Sequence, residues 1–108
     1  MTSFNQKTYK ILTDQQWEIM QEQKVFKGSD HDIQDGFIHL AKKDQLEHVI
    51  TKYFQAQDQV NVIELNSEVF GTNLKLEDGF PHLYNTELKM EMVTELSLIH
   101  ISEPTRPY

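Results

Sequence analysis

The chain has 108 residues, 38% hydrophobic and 10% aromatic, enough for one folded domain with a single modest core and not for two. A formal net charge of −7 repels phosphate backbones, and the clusters Lys24, Lys27 and Lys42, Lys43 are too small to offset it, so general nucleic-acid binding is not expected. Without cysteine there is no disulfide framework and no thiolate chemistry, while the lack of a bilayer-length apolar run or a secretory pattern makes a cytoplasmic location the expectation.

Tyr9-Lys10-Ile11-Leu12 predicts a short first strand. Thr13 and Gln16 have capping-box spacing and open a helix through about Gln23, with Trp17 and Met20 on one face and Ile19 beside it. From Val25 to Asp35 no period is sustained, and Gly28, Ser29, Asp30, Asp32 and Asp35 supply turn chemistry. A long loop is therefore predicted, of the kind that carries function in small domains. A buried strand over Phe37 to Leu40 precedes the clearest helix, where Leu46, Val49, Ile50, Tyr53 and Phe54 recur at helical spacing. Asp44 near its start suits the helix dipole, and His48 falls off the apolar stripe. Val60 to Leu65 reads as a second buried strand, and Ser67 as the cap of a single turn holding Val69 and Phe70 and closed by Gly71. Leu74 to Glu77 alternates as a strand with one face out; after Phe80 to Tyr84, Met90, Met92 and Val93 suggest a last strand. This order predicts a single small α+β domain, its helices packed on a curved or split mixed β-sheet.

Two segments concentrate the chemistry. Asp35-Gly36-Phe37-Ile38-His39-Leu40 and Phe80-Pro81-His82-Leu83-Tyr84 each set one histidine among apolar residues and beside turn formers, where a buried element meets a loop. Histidine readily serves as acid, base, ligand or donor near neutral pH. Each could also be a core histidine bonded to nearby backbone, and a shared cleft is the reading that gives both a role.

The end of the chain reads differently. Leu96 to Arg106 resembles the in-frame translation of a transposase adapter used in sequencing libraries, over eleven consecutive residues. The expectation is therefore one domain over residues 1–95 with a truncated C-terminus, followed by a non-native tail over 96–108. Leu98, Ile99 and Ile101 are the residues of that tail able to pair as a strand, whereas Pro104 to Tyr108 should make few contacts.

Tyr9-Lys10-Ile11, Trp17-Glu18, Phe26-Lys27-Gly28-Ser29, Asp32, Gln45, Tyr53-Phe54, Leu74-Lys75-Leu76-Glu77 and the two histidine segments together resemble the family called domain of unknown function 952, from about Tyr9 to Val93. Ala41 and Asn85 stand where that family usually has Ser and Gly. The resemblance implies no established activity, but it does imply a fold similar to the ADP-ribosyltransferases, in which a strand histidine bonds the adenosine ribose of NAD and aromatic rings hold the nicotinamide. His39 then resembles that histidine.

Under this reading Glu77 and His82 are the candidate catalytic residues, and His39, Asp35, Tyr84 and Ser29 the candidate cofactor-binding residues, with NAD as the cofactor and no metal. Cleaving the nicotinamide bond builds oxocarbenium character, which calls for a nearby carboxylate such as Glu77. Asp35 could accept from a ribose hydroxyl, Tyr84 could stack or donate, and Ser29 after Gly28 offers a hydroxyl to phosphate. Two other readings stay open: a non-catalytic module binding a small ligand or partner, and a metal site of His39, His82 and a carboxylate from Asp35 or Glu77. The only arginine is Arg106, in the tail, so lysines alone would meet a ligand's phosphates.

Overall fold

The computed structural model describes residues 7–101, and the expectation for Pro104 to Tyr108 lies outside them. The chain runs through β1 (Lys7–Leu12), α1 (Asp14–Gln23), β2 (Val25–Phe26), α2 (Asp30–Asp35), β3 (Ile38–His39), α3 (Leu46–Tyr53), β4 (Gln59–Asn66), β5 (Leu74–Glu77), β6 (Phe80–Leu83), β7 (Leu88–Lys89) and β8 (Val93–His100). Three antiparallel sheets result, in the orders β1-β4-β8, β2-β7 and β3-β6-β5, giving a small single α+β domain. The sheet is split, as expected, but entirely antiparallel among the described residues rather than mixed.

β1 shows how alternation builds two layers. Leu12 joins Met20, Phe26, Ile38, Ile63, Leu65, Leu83 and Leu88 in the main core on one face, while Ile11 joins Val60 and Val62 on the other. Against that second face lie Leu46, Val49 and Ile50 of α3 together with Phe54, the predicted apolar stripe. Tyr53 departs from it and is exposed. α1 begins as its sequence requires: the Thr13 hydroxyl accepts from the Gln16 amide and the Gln16 side chain accepts from the Thr13 amide.

Three local expectations are corrected. The stretch from Val25 to Asp35 is no long loop: it holds β2 and the six-residue α2, whose capping box pairs Ser29 with Asp32. The turn after β4 is a 3-10 segment, Ser67–Asn73, capped by Asn66, whose side chain accepts from the Glu68 amide; Ser67 is instead buried and bonds Thr8. Met90 and Met92 form a 3-10 turn, Met90–Met92, between β7 and β8 rather than a strand.

β8 crosses the boundary drawn at Glu95. It pairs with β4 from Leu65↔Val93 to Gln59↔His100, with an irregularity at Glu64 and Leu65. Ile99 and Ile101 pack on the second core, and Leu96 and Leu98 face outward.

The sheets that matter for function meet at β1 and β3. Tyr9 and Ala41 exchange backbone bonds of 2.8 and 2.9 Å, and the Leu40 amide donates to Pro81 at 3.0 Å. β3 is thus held between the first sheet and β6.

Candidate functional site

β3 and β6 pair in a register that sets His39 directly opposite His82. Directly opposed residues share a face, so both imidazoles emerge together, with ring centroids 6.1 Å apart. Phe37 lies over them, stacked on His82 at 4.1 Å and 4.5 Å from His39, and 5.2 Å from Tyr84. β5 adds the next row, with Lys75 opposite His82, and Glu77 two residues on shares that face.

Glu77 anchors one histidine. Its Oε1 accepts the Tyr84 hydroxyl and stands 2.8 Å from His82 Nδ1. The Tyr84 bond, then the His82 bond, hold the Glu77 carboxyl below its usual range, and the same carboxylate pushes Tyr84 up. No buried side-chain nitrogen or oxygen among the described residues lacks a partner. Among the described residues, His82 Nε2 has no hydrogen-bond partner.

The other histidine is anchored from α2. Asp32, 2% exposed, turns Oδ1 toward His39 Nδ1 at 2.5 Å and accepts the His39 amide at 3.1 Å with the same oxygen. Its Oδ2 accepts the Ser29 amide at 2.9 Å and faces Lys10 Nζ at 2.9 Å. Lys10, on β1, also donates to the His39 carbonyl at 2.9 Å. Burial alone would raise the Asp32 carboxyl; the Lys10 charge and the bonds from His39 and Ser29 outweigh it and hold it low. Burial in turn lowers Lys10, opposed by Asp32.

This tight seating requires glycine at 28. Gly28 has φ of +124°, and a Cβ there would come within 3.0 Å of Asp32 Cβ. On the outer side of His39, Nε2 lies 3.0 Å from Asp35 Oδ2, and His31 Nε2 approaches the same oxygen at 3.1 Å.

Five of the six residues anticipated for the site, Asp35, His39, Glu77, His82 and Tyr84, thus meet on one face. Their side chains stay partly open to solvent, 37% for Asp35, 34% for His39 and 44% for Glu77. Ser29 stands apart, lining a depression with Phe26, Lys27 and the side of α1, its hydroxyl engaged as the cap of α2. Lys10, Asp32, Phe37 and His31 complete the site. The paired metal ligands considered from sequence, His39 and His82, are each turned toward a different carboxylate.

The model of the family described as protein of unknown function DUF952 matches residues 11–96. The chain belongs to that family. The crystal structure of protein CC0527 from Caulobacter crescentus is similar to this DUF952 domain at 33% identity and a TM-score of 0.81, covering 89% of this chain and 88% of that one. The solution structure of the same protein gives a TM-score of 0.79 at 33% identity, covering 91% and 88%. No curated protein matches. Within the DUF952 domain, no helix of the described residues is long and apolar enough to cross a membrane.

Proposed function

We propose that this face binds a nucleotide such as NAD or ADP-ribose, and that ADP-ribosyl transfer is the reaction it is equipped for. The observation that supports this most is the side-by-side pair of imidazoles, each backed by its own carboxylate: Asp32 behind His39 and Glu77 behind His82. A carboxylate behind an imidazole fixes its tautomer and stabilises the imidazolium, which suits hydrogen bonding to ribose hydroxyls and proton transfer. Phe37 and Tyr84 supply ring surface for a planar base, and Lys75, 5.3 Å above the Tyr84 ring, supplies positive charge for phosphate.

In this reading His39 and Asp35 hold the ribose and Tyr84 the nicotinamide. Glu77 stabilises the developing oxocarbenium ion as the nicotinamide bond breaks. An acceptor hydroxyl attacks the ribose carbon, nicotinamide leaves as the neutral base, and the acceptor proton passes to His82. The similarity to the ADP-ribosyltransferase fold belongs to this proposal, as does NAD. One observation favours a binding module without turnover: Glu77, placed at the reacting bond, keeps 44% of its side chain in water.

A thermal-shift screen against NAD, ADP-ribose and other nucleotides tests the reading, since a ligand of the native state raises the melting temperature. Stabilisation by NAD or ADP-ribose, reduced in His39→Gln and in Tyr84→Ala, supports it. Nicotinamide release that Glu77→Gln abolishes separates the enzyme from the binding module. A well-folded protein stabilised by none of the nucleotides at millimolar concentration rejects both.

A further inference from the structure

We propose that His31, Asp35 and His39 form a site for a divalent transition metal of the zinc class. One imidazole nitrogen from each histidine and a carboxylate oxygen of Asp35 all lie within 4.8 Å of one another. The site does not depend on the nucleotide reading, although His39 and Asp35 are common to the two.

Local chain geometry makes the convergence. His31 and Asp35 are four residues apart on α2 and therefore on one face, and they approach to 3.1 Å. Gly36, at φ of +86° as the cap of α2, turns the chain back so that β3 delivers His39 beside them, its ring 4.7 Å from that of His31. The sequence alone does not disclose this because His31 falls in a stretch without period.

Charge decides what the cluster is suited to hold. The Nδ1 of His39 faces Asp32, so that nitrogen carries the proton and Nε2 presents a lone pair toward Asp35 when the ring is neutral. A lone pair and a carboxylate oxygen 3.0 Å apart repel unless a positive charge lies between them. Without a metal, a proton on His39 Nε2 and the Nε2–H of a neutral His31 would both donate to Asp35. One dication satisfies both nitrogens and the carboxylate at once. Two ligand atoms about 2.1 Å from a shared zinc ion stand roughly 3–3.5 Å apart, as each histidine nitrogen does from the Asp35 oxygen at 3.1 and 3.0 Å, while the two histidine nitrogens, within 4.8 Å, would close on the ion.

The surroundings are those of a metal-binding histidine. Asp32, fixed by Lys10 and Ser29, bonds the far nitrogen of His39 and would orient the ring and raise its basicity, the role an outer carboxylate plays behind a ligand histidine. Two nitrogens and one oxygen match zinc better than calcium or magnesium, and leave a coordination position for water or a ligand oxygen.

The test uses the full chain, free of any affinity tag and stripped by a chelator, titrated with Zn²⁺ by calorimetry and with Co²⁺ by visible absorption. The site predicts one equivalent bound, with Co²⁺ bands of low-symmetry coordination. His31→Gln and Asp35→Asn, whose side chains are exposed enough to leave the fold intact, should each weaken binding by more than the 10–100-fold typical of losing an outer partner. His48→Gln should leave affinity unchanged. Absence of stoichiometric binding by the wild type overturns the proposal, as does binding that His31→Gln and Asp35→Asn leave intact in variants whose melting curves show them folded.

Discussion

Lys10 and Asp32 are the residues on which the site rests. Both side chains are nearly sealed from water, 8% and 2% exposed, and removing one partner strands the other charge in the core. Asp32→Ala should therefore cost about 3–5 kcal/mol in chemical denaturation, and exchanging both partners for apolar residues should recover part of it. The acid limb carries a second signature. Because the folded Asp32 carboxyl is held low, its stabilisation is complete above the unfolded aspartate value, about pH 4, and declines as pH falls toward the depressed folded value. Asp32→Asn should flatten that decline in a series of thermal melts. Across the sheet, the Tyr84 hydroxyl is the largest cause of the lowered Glu77 carboxyl. Tyr84→Phe should raise the Glu77 titration midpoint as followed by carboxyl NMR; an unchanged midpoint would show that the hydroxyl does not bond it.

At the scale of the element, α2 is six residues long and stands only because its ends are tied. Ser29→Ala removes the acceptor for the Asp32 amide and should cost about 1 kcal/mol, shifting the melting temperature by about 4–8 °C. Larger perturbation of His39 than of His82 in the NMR spectrum would show that the cap also positions Asp32. The same element marks where sequence reading stopped. α1 and α3 were legible because a capping box and an apolar stripe are local signals. α2 is too short to show a period, and Ser29, Asp30 and Asp32 favour turns and helix starts alike. His39, His82, Glu77 and Tyr84 were legible because each lies in or beside a compact apolar segment. Lys10 was not: a lysine in a strand reads as an outward residue, and its partner lies 22 positions away. His31 was hidden with the helix that carries it.

For the whole molecule, β4 is the central strand of its sheet, covered by β1 on one side and β8 on the other. Deleting residues 96–108 would uncover the outer edge of β4 along Gln59 to Ile63, an apolar stretch with open backbone groups. The deletion should lower the melting temperature and produce concentration-dependent association in size-exclusion chromatography. An unchanged melt and a monomeric profile would show that Leu96–His100 contributes nothing to the sheet, whatever its origin. The ammonium of Lys10 has a wider consequence. It joins β1 to α2 through Asp32 and to β3 through the His39 carbonyl, close to the Tyr9–Ala41 bridge. The residues that would bind a ligand thus cannot open as a separate flap without breaking into the core. In amide hydrogen exchange, the His39 and Lys10 protons should follow the slow, global opening of the domain rather than a local one, and occupancy at the surface would be felt as slowed exchange throughout the interior.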